Sequence, residues 1–179
     1  MTLTAIPQKL KLDLSKFKPS DISEHLEYLY NTVIEMRPRL ILELGVRGGE
    51  STRAFAEACQ DIELESGSGP KFISVDIMDY SRVCNYPNWI FIQGDDRSFQ
   101  IQSQLDILFI DTSHEYAHTI QELQLYGDKI SAGGKIIMHD TAMKEVYDAI
   151  EYFQKTSPIK FSFENKPNCN GLATLTRVN

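Results

Sequence analysis

The sequence predicts an α/β fold in which a mainly parallel, seven-stranded sheet lies between two layers of helices. Strand-like apolar runs alternate five times with segments of helical periodicity, a pattern typical of parallel sheets with right-handed connections. Residues 107–110 are wholly apolar, as expected for a strand covered on both faces. Two extended runs, residues 159–163 and 172–178, have no helix between them. They predict a C-terminal hairpin in which one strand runs antiparallel.

The part of the chain before the sheet predicts one helix. Asp21 and Glu24 have the spacing of a capping box. Apolar side chains then recur at helical spacing until Pro38, a residue that is unfavourable inside a helix. We therefore expect residues 1–37 to form an N-terminal segment and helix that pack on one domain, residues 38–179, because the chain has the length of a single domain.

The first two strands frame a helix and a loop. Residues 40–44 predict the first strand, and a helix is expected from about 49–60. Residues 61–70 are acidic and rich in glycine and serine, which predicts a loop. Residues 72–76 form the second expected strand. The following segment, residues 77–88, contains a proline and no clear period, so it predicts a short helix or a loop.

Three more strands and two more helices complete the alternation. The strands are expected at residues 89–93, 106–111 and 135–138. Apolar residues at helical spacing mark a helix over residues 116–130, and Gly133-Gly134 is expected to stop it. Val146, Ile150 and Phe153 outline the last helix.

Composition and charge exclude several classes of function. The net charge is −7, so a general nucleic-acid-binding surface is not expected. No apolar run approaches the ~20 residues of a membrane span, and the first seventeen residues lack the apolar core of a signal peptide. Three cysteines without C-x-x-C spacing predict a reducing compartment rather than a disulfide framework. We therefore expect a cytoplasmic protein without membrane association, one that could self-associate as a homo-oligomer.

The first predicted strand ends in an acid that is followed by a glycine-rich turn and a helix. The residues of this motif that could contact a ligand are Glu43, Gly45, Arg47, Gly49 and Ser51. Glycines let the backbone approach a ligand closely, and the helix start offers unpaired N–H groups. A ligand with a cationic amino-acid end would fit this arrangement. Arg47 stands where the dinucleotide fingerprint requires glycine, so the motif is a different one.

A second acid, Asp76, closes the next predicted strand. It lies 31 residues after Gly45, further than the roughly 20 residues of the dinucleotide motif. A carboxylate at this place can still accept hydrogen bonds from both hydroxyls of a ribose. Alone, each motif is also compatible with a solvated strand end or a plain tight turn. Together they favour a ligand that contains a nucleoside.

These motifs, in this order of elements, resemble the class I S-adenosylmethionine-dependent methyltransferases over about residues 38–178. The resemblance implies the three-layer, Rossmann-like methyltransferase fold and S-adenosylmethionine as the cofactor. It implies that the glycine-rich turn holds the methionine part and that Asp76 binds the ribose. Asp95, in the turn after the third strand, would meet the adenine, with Asp96 as the alternative. Asp111 would also lie against the cofactor.

Residues 109–116 and 133–140 resemble a narrower bacterial subgroup, related to metal-dependent O-methyltransferases and to enzymes acting on sugars and on macrolide or other antibiotic scaffolds. The resemblance implies that Asp111, His139 and Asp140 hold a divalent cation. The relatives often have Asp or Glu where His139 stands. Magnesium prefers oxygen ligands, whereas imidazole suits manganese and other transition metals better. Mg²⁺, Mn²⁺ and no metal therefore remain open.

The carboxyl ends of the fourth and fifth strands share one crevice in such a sheet, so Asp111, His114, His139 and Asp140 should meet there. His114 is predicted as the general base, since its pKa lies near the working pH, and Asp111 as its catalytic neighbour. Ordinary structural roles compete with these assignments. Asp111 could cap the following helix, and His139 could be a hydrogen-bonded structural histidine.

The function predicted from the resemblance is O-methylation of a small-molecule or sugar-containing acceptor. Three alternatives stay open. The chain could bind S-adenosylmethionine or another nucleoside without turnover, it could be a hydroxylase-like enzyme, or it could be a nucleotide-dependent oxidoreductase on the same fold. The acceptor itself cannot be read from the sequence.

Overall fold

The structure, a computed structural model, describes residues 11–178, so the first ten residues of the predicted N-terminal segment lie outside it. The strands are β1 (Leu40–Leu44), β2 (Lys71–Asp76), β3 (Trp89–Gln93), β4 (Leu105–Ile110), β5 (Ile130–His139), β6 (Phe161–Lys166) and β7 (Leu172–Arg177). The α-helices are α1 (Leu26–Met36), α2 (Glu50–Ser66), α3 (Tyr116–Tyr126) and α4 (Lys144–Thr156). Short 3₁₀ turns cover Leu14–Lys16, Ser23–His25 and Gly127–Lys129.

All seven strands form one sheet in the order β3-β2-β1-β4-β5-β7-β6. β1 to β5 pair in parallel, and β7 runs antiparallel to both of its neighbours, β5 and β6. The predicted fold class and the C-terminal hairpin are therefore confirmed. The chain builds outward from β1 to β3 and then returns to place β4 on the other side of β1. This reversal leaves a crevice at the carboxyl ends of β1 and β4, the place where ligands bind in open α/β sheets.

Both faces of the sheet are buried in hydrophobic clusters. Successive residues of a strand point to opposite faces, so Ile41 packs in the cluster that includes α1 and α2. Leu42 packs in the cluster that includes α3 and α4. All five residues of β1 are buried, which explains why this strand is a continuous apolar run apart from Glu43.

The starts and ends of the first two helices differ from the prediction. No capping box forms, because the Asp21 carboxylate pairs with the Arg47 guanidinium and Glu24 accepts a hydrogen bond from Asn168. A 3₁₀ turn leads directly into α1 instead. α2 continues to Ser66, through residues that were predicted to form a loop. Ile62 is buried in the core, which favours the helix despite the polar composition of this stretch.

The prediction that Gly133-Gly134 stops a helix was also wrong. Gly133-Gly134 lies inside β5 and does not stop a helix, since α3 already ends at Tyr126. The register between β4 and β5 shifts between Leu105 and Ile107, and Gly133 has a φ of 74°, so the glycines form an irregular part of the strand. Residues 77–88 contain neither helix nor strand. Among residues 11–178, no helix is long and apolar enough to cross a membrane.

Candidate cofactor and catalytic site

A cavity of about 480 Å³ opens at the carboxyl ends of β1 to β4. This volume lies within the roughly 300–1,000 Å³ of small-molecule sites. Six of the predicted cofactor-binding residues line the cavity: Gly45, Arg47, Asp76, Asp95, Asp96 and Asp111. The topology therefore brings together acids that are up to 35 positions apart in the sequence.

The glycine turn is held between the two strands that flank β1. The Gly45 N–H donates to the Val75 carbonyl at 2.9 Å, and the Asp111 N–H donates to the Leu44 carbonyl at 2.9 Å. Gly45 has a φ of 87°, and a Cβ at this position would overlap the backbone carbonyl of Asp111. Only glycine therefore fits where β1 ends against β4.

The Asp76 carboxylate organises the turn that it faces. Its Oδ2 accepts from the Val46 N–H at 2.7 Å, and its Oδ1 accepts from the Met78 N–H at 2.9 Å. Because it also lines the cavity, this carboxylate can meet a ribose while fixing both loops. Arg47 lines the same cavity, and its guanidinium pairs with Asp21.

Glu43 does not reach the cavity in this structure. The side chain is fully buried, and its carboxylate accepts from Ser51 Oγ at 2.7 Å, Thr52 Oγ1 at 2.8 Å and Ser74 Oγ at 2.5 Å. Burial raises the pKa of Glu43 to about 7, although the three hydroxyls oppose this shift. Direct ligand contact by Glu43 is therefore corrected to a supporting role, in which the carboxylate ties β1 to α2 and β2.

The correction extends to two neighbouring residues. Ser51 is buried and its hydroxyl donates a hydrogen bond to Glu43, so it does not line the cavity. Gly49 is the residue before α2, with a φ of 78°, and it faces Val83 rather than the cavity. Both residues support the turn from the side that faces away from the cavity. The glycine-rich motif therefore acts through Gly45 and Arg47 on the cavity side and through Glu43 and Ser51 on the core side.

Two neighbouring acids follow β3 and have different environments. Asp95 pairs with Arg97, whose hydrogen bonds hold the pKa of Asp95 well below its usual range. Asp96 is buried, and both of its carboxylate oxygens lie 3.1 Å from His118 Nε2. Both acids line the cavity.

Three side chains, those of His114, His139 and Asp140, converge beside Asp111 at the ends of β4 and β5. Asp140 Oδ2 lies 2.7 Å from His114 Nε2 and 3.2 Å from His139 Nδ1. Asp111 Oδ1 lies 3.5 Å from His139 Nδ1 and 4.0 Å from His114 Nε2. Neither contact of His114 Nε2 is aligned as a hydrogen bond. The predicted catalytic and metal-binding residues are thus brought together.

These carboxylates and imidazoles change one another's pKa. His114 and His139 hold the pKa of Asp111 well below its usual range, against the opposing effect of burial. Asp111 and Asp140 raise the pKa of His114, and Asp140 is the closer of the two. Burial would lower the pKa of His139, but Asp111 and Asp140 outweigh it and raise this pKa to about 10. The cluster is strongly negative unless the imidazoles or an ion compensate it.

The orientation of His139 fits a metal ligand. Its Nε2 lies 3.0 Å from the Cys169 carbonyl, and a carbonyl only accepts, so Nε2 carries the proton in the neutral ring. Its Nδ1 is buried, has no hydrogen-bond partner among residues 11–178 and faces Asp111 and Asp140. Fixing one ring nitrogen on a carbonyl is how proteins orient metal-bound histidines. One ligand atom from each of Asp111, His139 and Asp140 lies within 4.8 Å of the other two, so the donor set fits a divalent cation.

Several residues of the site carry no strong signal in the sequence. His25 packs its ring against His139, with 5.9 Å between the ring centroids, and Cys169 comes from the loop between β6 and β7. Thr112 and Ser113 line the cavity on the way into α3. His118 could have been found, because it stands four residues before Glu122 and such a pair shares one helix face.

A larger cleft, of about 760 Å³, lies at the opposite end of β1 and β2. Arg39, Leu40 and Lys71 line it at the starts of these strands. The smaller cavity is the candidate site, because it lies at the carboxyl ends of the strands and is lined by Asp76, Asp96 and Asp111.

Comparison with known proteins agrees with this architecture. The model of a family described as "Methyltransferase domain" matches residues 42–141, more than half of the chain, so the chain belongs to that family. It is a class I S-adenosylmethionine-dependent methyltransferase. It is 26% identical over 161 residues to a rhamnosyl O-methyltransferase from Mycobacterium leprae, an alignment that covers 78% of this chain and 67% of that protein.

Solved structures share the fold. An SAH-bound methyltransferase, PaMTH1 from Podospora anserina, superimposes with a TM-score of 0.64 and 14% identity, covering 92% of this chain and 81% of that one. The cofactor-bound protein Rv0187 from MTB superimposes with a TM-score of 0.68 and 13% identity, covering 92% of this chain and 84% of that one. At these identities the likeness shows the fold.

Proposed function

We propose that the protein transfers a methyl group from S-adenosylmethionine to a hydroxyl of a small, sugar-containing acceptor, with the assistance of a divalent cation. The observation that carries the proposal is the convergence of His114, His139 and Asp140 on Asp111, which also lines the cavity beside Asp76. The site thus combines a place for a nucleoside with groups that can position and deprotonate a hydroxyl.

The cofactor supplies an electrophilic methyl group on a positively charged sulfur. The protein's task is to align an acceptor oxygen with that methyl group and to remove the proton of the hydroxyl. His114 is suited to the second task because its ring is partly exposed: Nε2 is buried against Asp140, which leaves Nδ1 to take the proton. Asp140 and Asp111 stabilise the imidazolium that forms when His114 takes the proton.

His139 and the two acids would hold the cation. An ion bound by Asp111, His139 and Asp140 would lower the pKa of an acceptor hydroxyl. The imidazole ligand favours Mn²⁺ over Mg²⁺. His139 Nδ1 is directed at the two carboxylates, and the Cys169 carbonyl keeps the ring in this orientation.

The choice of a sugar-containing acceptor rests on the relative whose name contains a rhamnosyl group. The acceptor would enter beside His114, because this is the more exposed member of the cluster. Product analysis on rhamnose-containing glycosides, with aromatic alcohols as the comparison, tests this choice. A methyl ether on a sugar hydroxyl is the expected product, and methylation of nitrogen or carbon would contradict the proposal.

Chelation and substitution separate the role of the ion from that of the base. We expect activity to fall with a chelator and to return with Mn²⁺ at least as well as with Mg²⁺. His114→Ala should slow turnover while S-adenosylhomocysteine still binds in calorimetry. Full activity in the chelator together with slow turnover by His114→Ala would show that His114 acts as a general base without a metal. Full activity in both experiments would show that the chemistry lies on other residues.

A further inference from the structure

We propose that Asp96, His118 and Glu122 form a second metal site, separate from the cluster at Asp111, that takes a divalent transition metal such as Zn²⁺. The three residues share no member with the first cluster. Two carboxylates and one imidazole suit transition metals, which accept nitrogen as well as oxygen ligands.

Two segments of the backbone bring the three side chains together. His118 and Glu122 stand one turn apart on α3, so they project from the same face of the helix. Asp96 comes from the turn after β3. His118 Nε2 lies 3.1 Å from each carboxylate oxygen of Asp96 and 3.7 Å from Glu122 Oε1. One ligand atom of each residue lies within 4.8 Å of the other two.

One carboxylate oxygen of the cluster is buried without a donor in the described part of the chain, and a bound cation would compensate it. Glu122 is fully buried, and its Oε1 accepts from Thr112 Oγ1 at 2.7 Å. Its other oxygen, Oε2, is buried and has no hydrogen-bond partner among the described residues. A buried carboxylate oxygen without a donor costs free energy that a bound cation would recover.

The charges in the cluster also favour a dication. A proton on His118 compensates only one of the two carboxylates that face it, those of Asp96 and Glu122. The Arg97 Nε lies 4.0 Å from Asp96 Oδ1, but this guanidinium makes its hydrogen bonds to Asp95. A divalent ion with a neutral His118 would balance both carboxylates.

The surroundings hold the ligands in place. Thr112 supports Glu122, and the Tyr126 hydroxyl donates to the backbone carbonyl of Asp96. Partners of this kind orient metal ligands and strengthen binding. Because Asp96 and His118 also line the cavity, an ion here would tie α3 to the turn that borders the proposed cofactor site.

Equilibrium dialysis of the full chain against Zn²⁺ tests the proposal by stoichiometry. His118→Asn and Glu122→Gln should each bind one ion per chain fewer than the wild-type protein. Asp128→Asn, a charge-matched change of an exposed residue just after α3, should bind as many ions as the wild type. Asp140→Asn reports the other cluster, so failure of that site is distinguished from failure of this one. Unchanged binding by His118→Asn and Glu122→Gln would overturn the proposal.

Two measurements on the wild-type protein cover the case in which the variants fold poorly. Zn²⁺ at about 100-fold above its Kd should raise the melting temperature by about 5–10 °C, because it binds only the folded state. Anomalous scattering from zinc-soaked crystals should show a peak between Asp96, His118 and Glu122. The absence of a peak there would identify the cluster as an ion pair and overturn the proposal.

Discussion

Glu43 illustrates at the residue scale how a motif acid can act through other residues. The sequence places it at the end of a strand, where a ligand contact is expected. In the structure three hydroxyls, from Ser51, Thr52 and Ser74, enclose its carboxylate. The residue therefore joins β1 to the helix and the strand beside it. Its burial has a consequence for stability that can be measured.

We expect Glu43 to make stability depend on pH. Its folded-state pKa, about 7, lies above the ordinary value of 4.5, so the folded protein holds the proton more tightly. Its contribution is fully present below pH 4.5 and is lost as pH rises through 7, by about 3 kcal/mol at 1.36 kcal/mol per pKa unit. Chemical unfolding of the wild type and of Glu43→Gln across this range measures the difference. Parallel stability curves for the two proteins would contradict it.

Asp76 should contribute to cofactor affinity. Asp76→Ala removes the carboxylate expected to accept from the ribose hydroxyls, so binding of S-adenosylhomocysteine should weaken by about 1–3 kcal/mol, roughly 5- to 150-fold. Calorimetry measures the loss. Asp79→Ala is the control, because Asp79 is an exposed acid of the following segment that caps Ser81 outside the cavity. Equal affinities for the two variants would show that Asp76 has another role.

At the scale of elements, the junction of β1 with β4 constrains the site most tightly. The turn at Gly45 passes so close to Asp111 that no side chain fits, and backbone hydrogen bonds hold it from both sides. Asp111 belongs to the proposed catalytic cluster and Gly45 to the cavity wall. This contact would therefore set the distance between the cofactor and the proposed catalytic side chains.

Gly45→Ala should destabilise the protein much more than Gly67→Ala. Both glycines have a positive φ, of 87° and 80°, so each alanine carries a backbone cost of about 1–2 kcal/mol. Only Gly45→Ala adds an overlap with the Asp111 backbone, since no atom of the described residues lies within 4 Å of a Cβ placed at Gly67. We expect about 3 kcal/mol or more for Gly45→Ala in denaturant unfolding. Similar losses for both variants would mean that the junction relaxes.

At the scale of the whole molecule, the helix before the sheet is part of the core. Leu26, Leu29, Tyr30 and Val33 of α1 are fully or almost fully buried in the cluster that covers one face of the sheet. The predicted boundary at residue 37 therefore separates elements that share one hydrophobic core.

Removal of residues 1–37 should abolish cooperative folding. Each of the four buried side chains contributes about 1.5–3 kcal/mol, and together they approach the whole stability of a typical domain, about 5–15 kcal/mol. Circular dichroism melting of residues 38–179 measures the effect. Leu29→Ala in the full chain gives a graded comparison, with an expected loss of about 2–5 kcal/mol. A fragment that melts as cooperatively as the full chain would contradict the prediction.

The alternation of strands and helices could be predicted from the sequence because it depends on local periodicity. Most strand positions followed from apolar runs, whereas α2 ended later than its composition indicated. The last turn of α2 is stabilised by Ile62 in the core and ends at Gly67, whose left-handed conformation suits a helix terminus. The prediction that Gly133 ends a helix was wrong for a related reason. Whether a glycine ends a helix or bends a strand depends on its neighbours in space.

The sequence by itself determined the sheet architecture and the edge at which the acids meet, because parallel strands bring their carboxyl ends to one side. Only the tertiary structure decided which groups face the cavity. It buried Glu43 under three hydroxyls, and it placed His118 against Asp96. It also directed His139 Nδ1 towards two carboxylates, because the other ring nitrogen, Nε2, is held by the carbonyl of Cys169, thirty residues further along the chain. These outcomes depend on contacts between residues far apart in the chain, for which no local pattern exists.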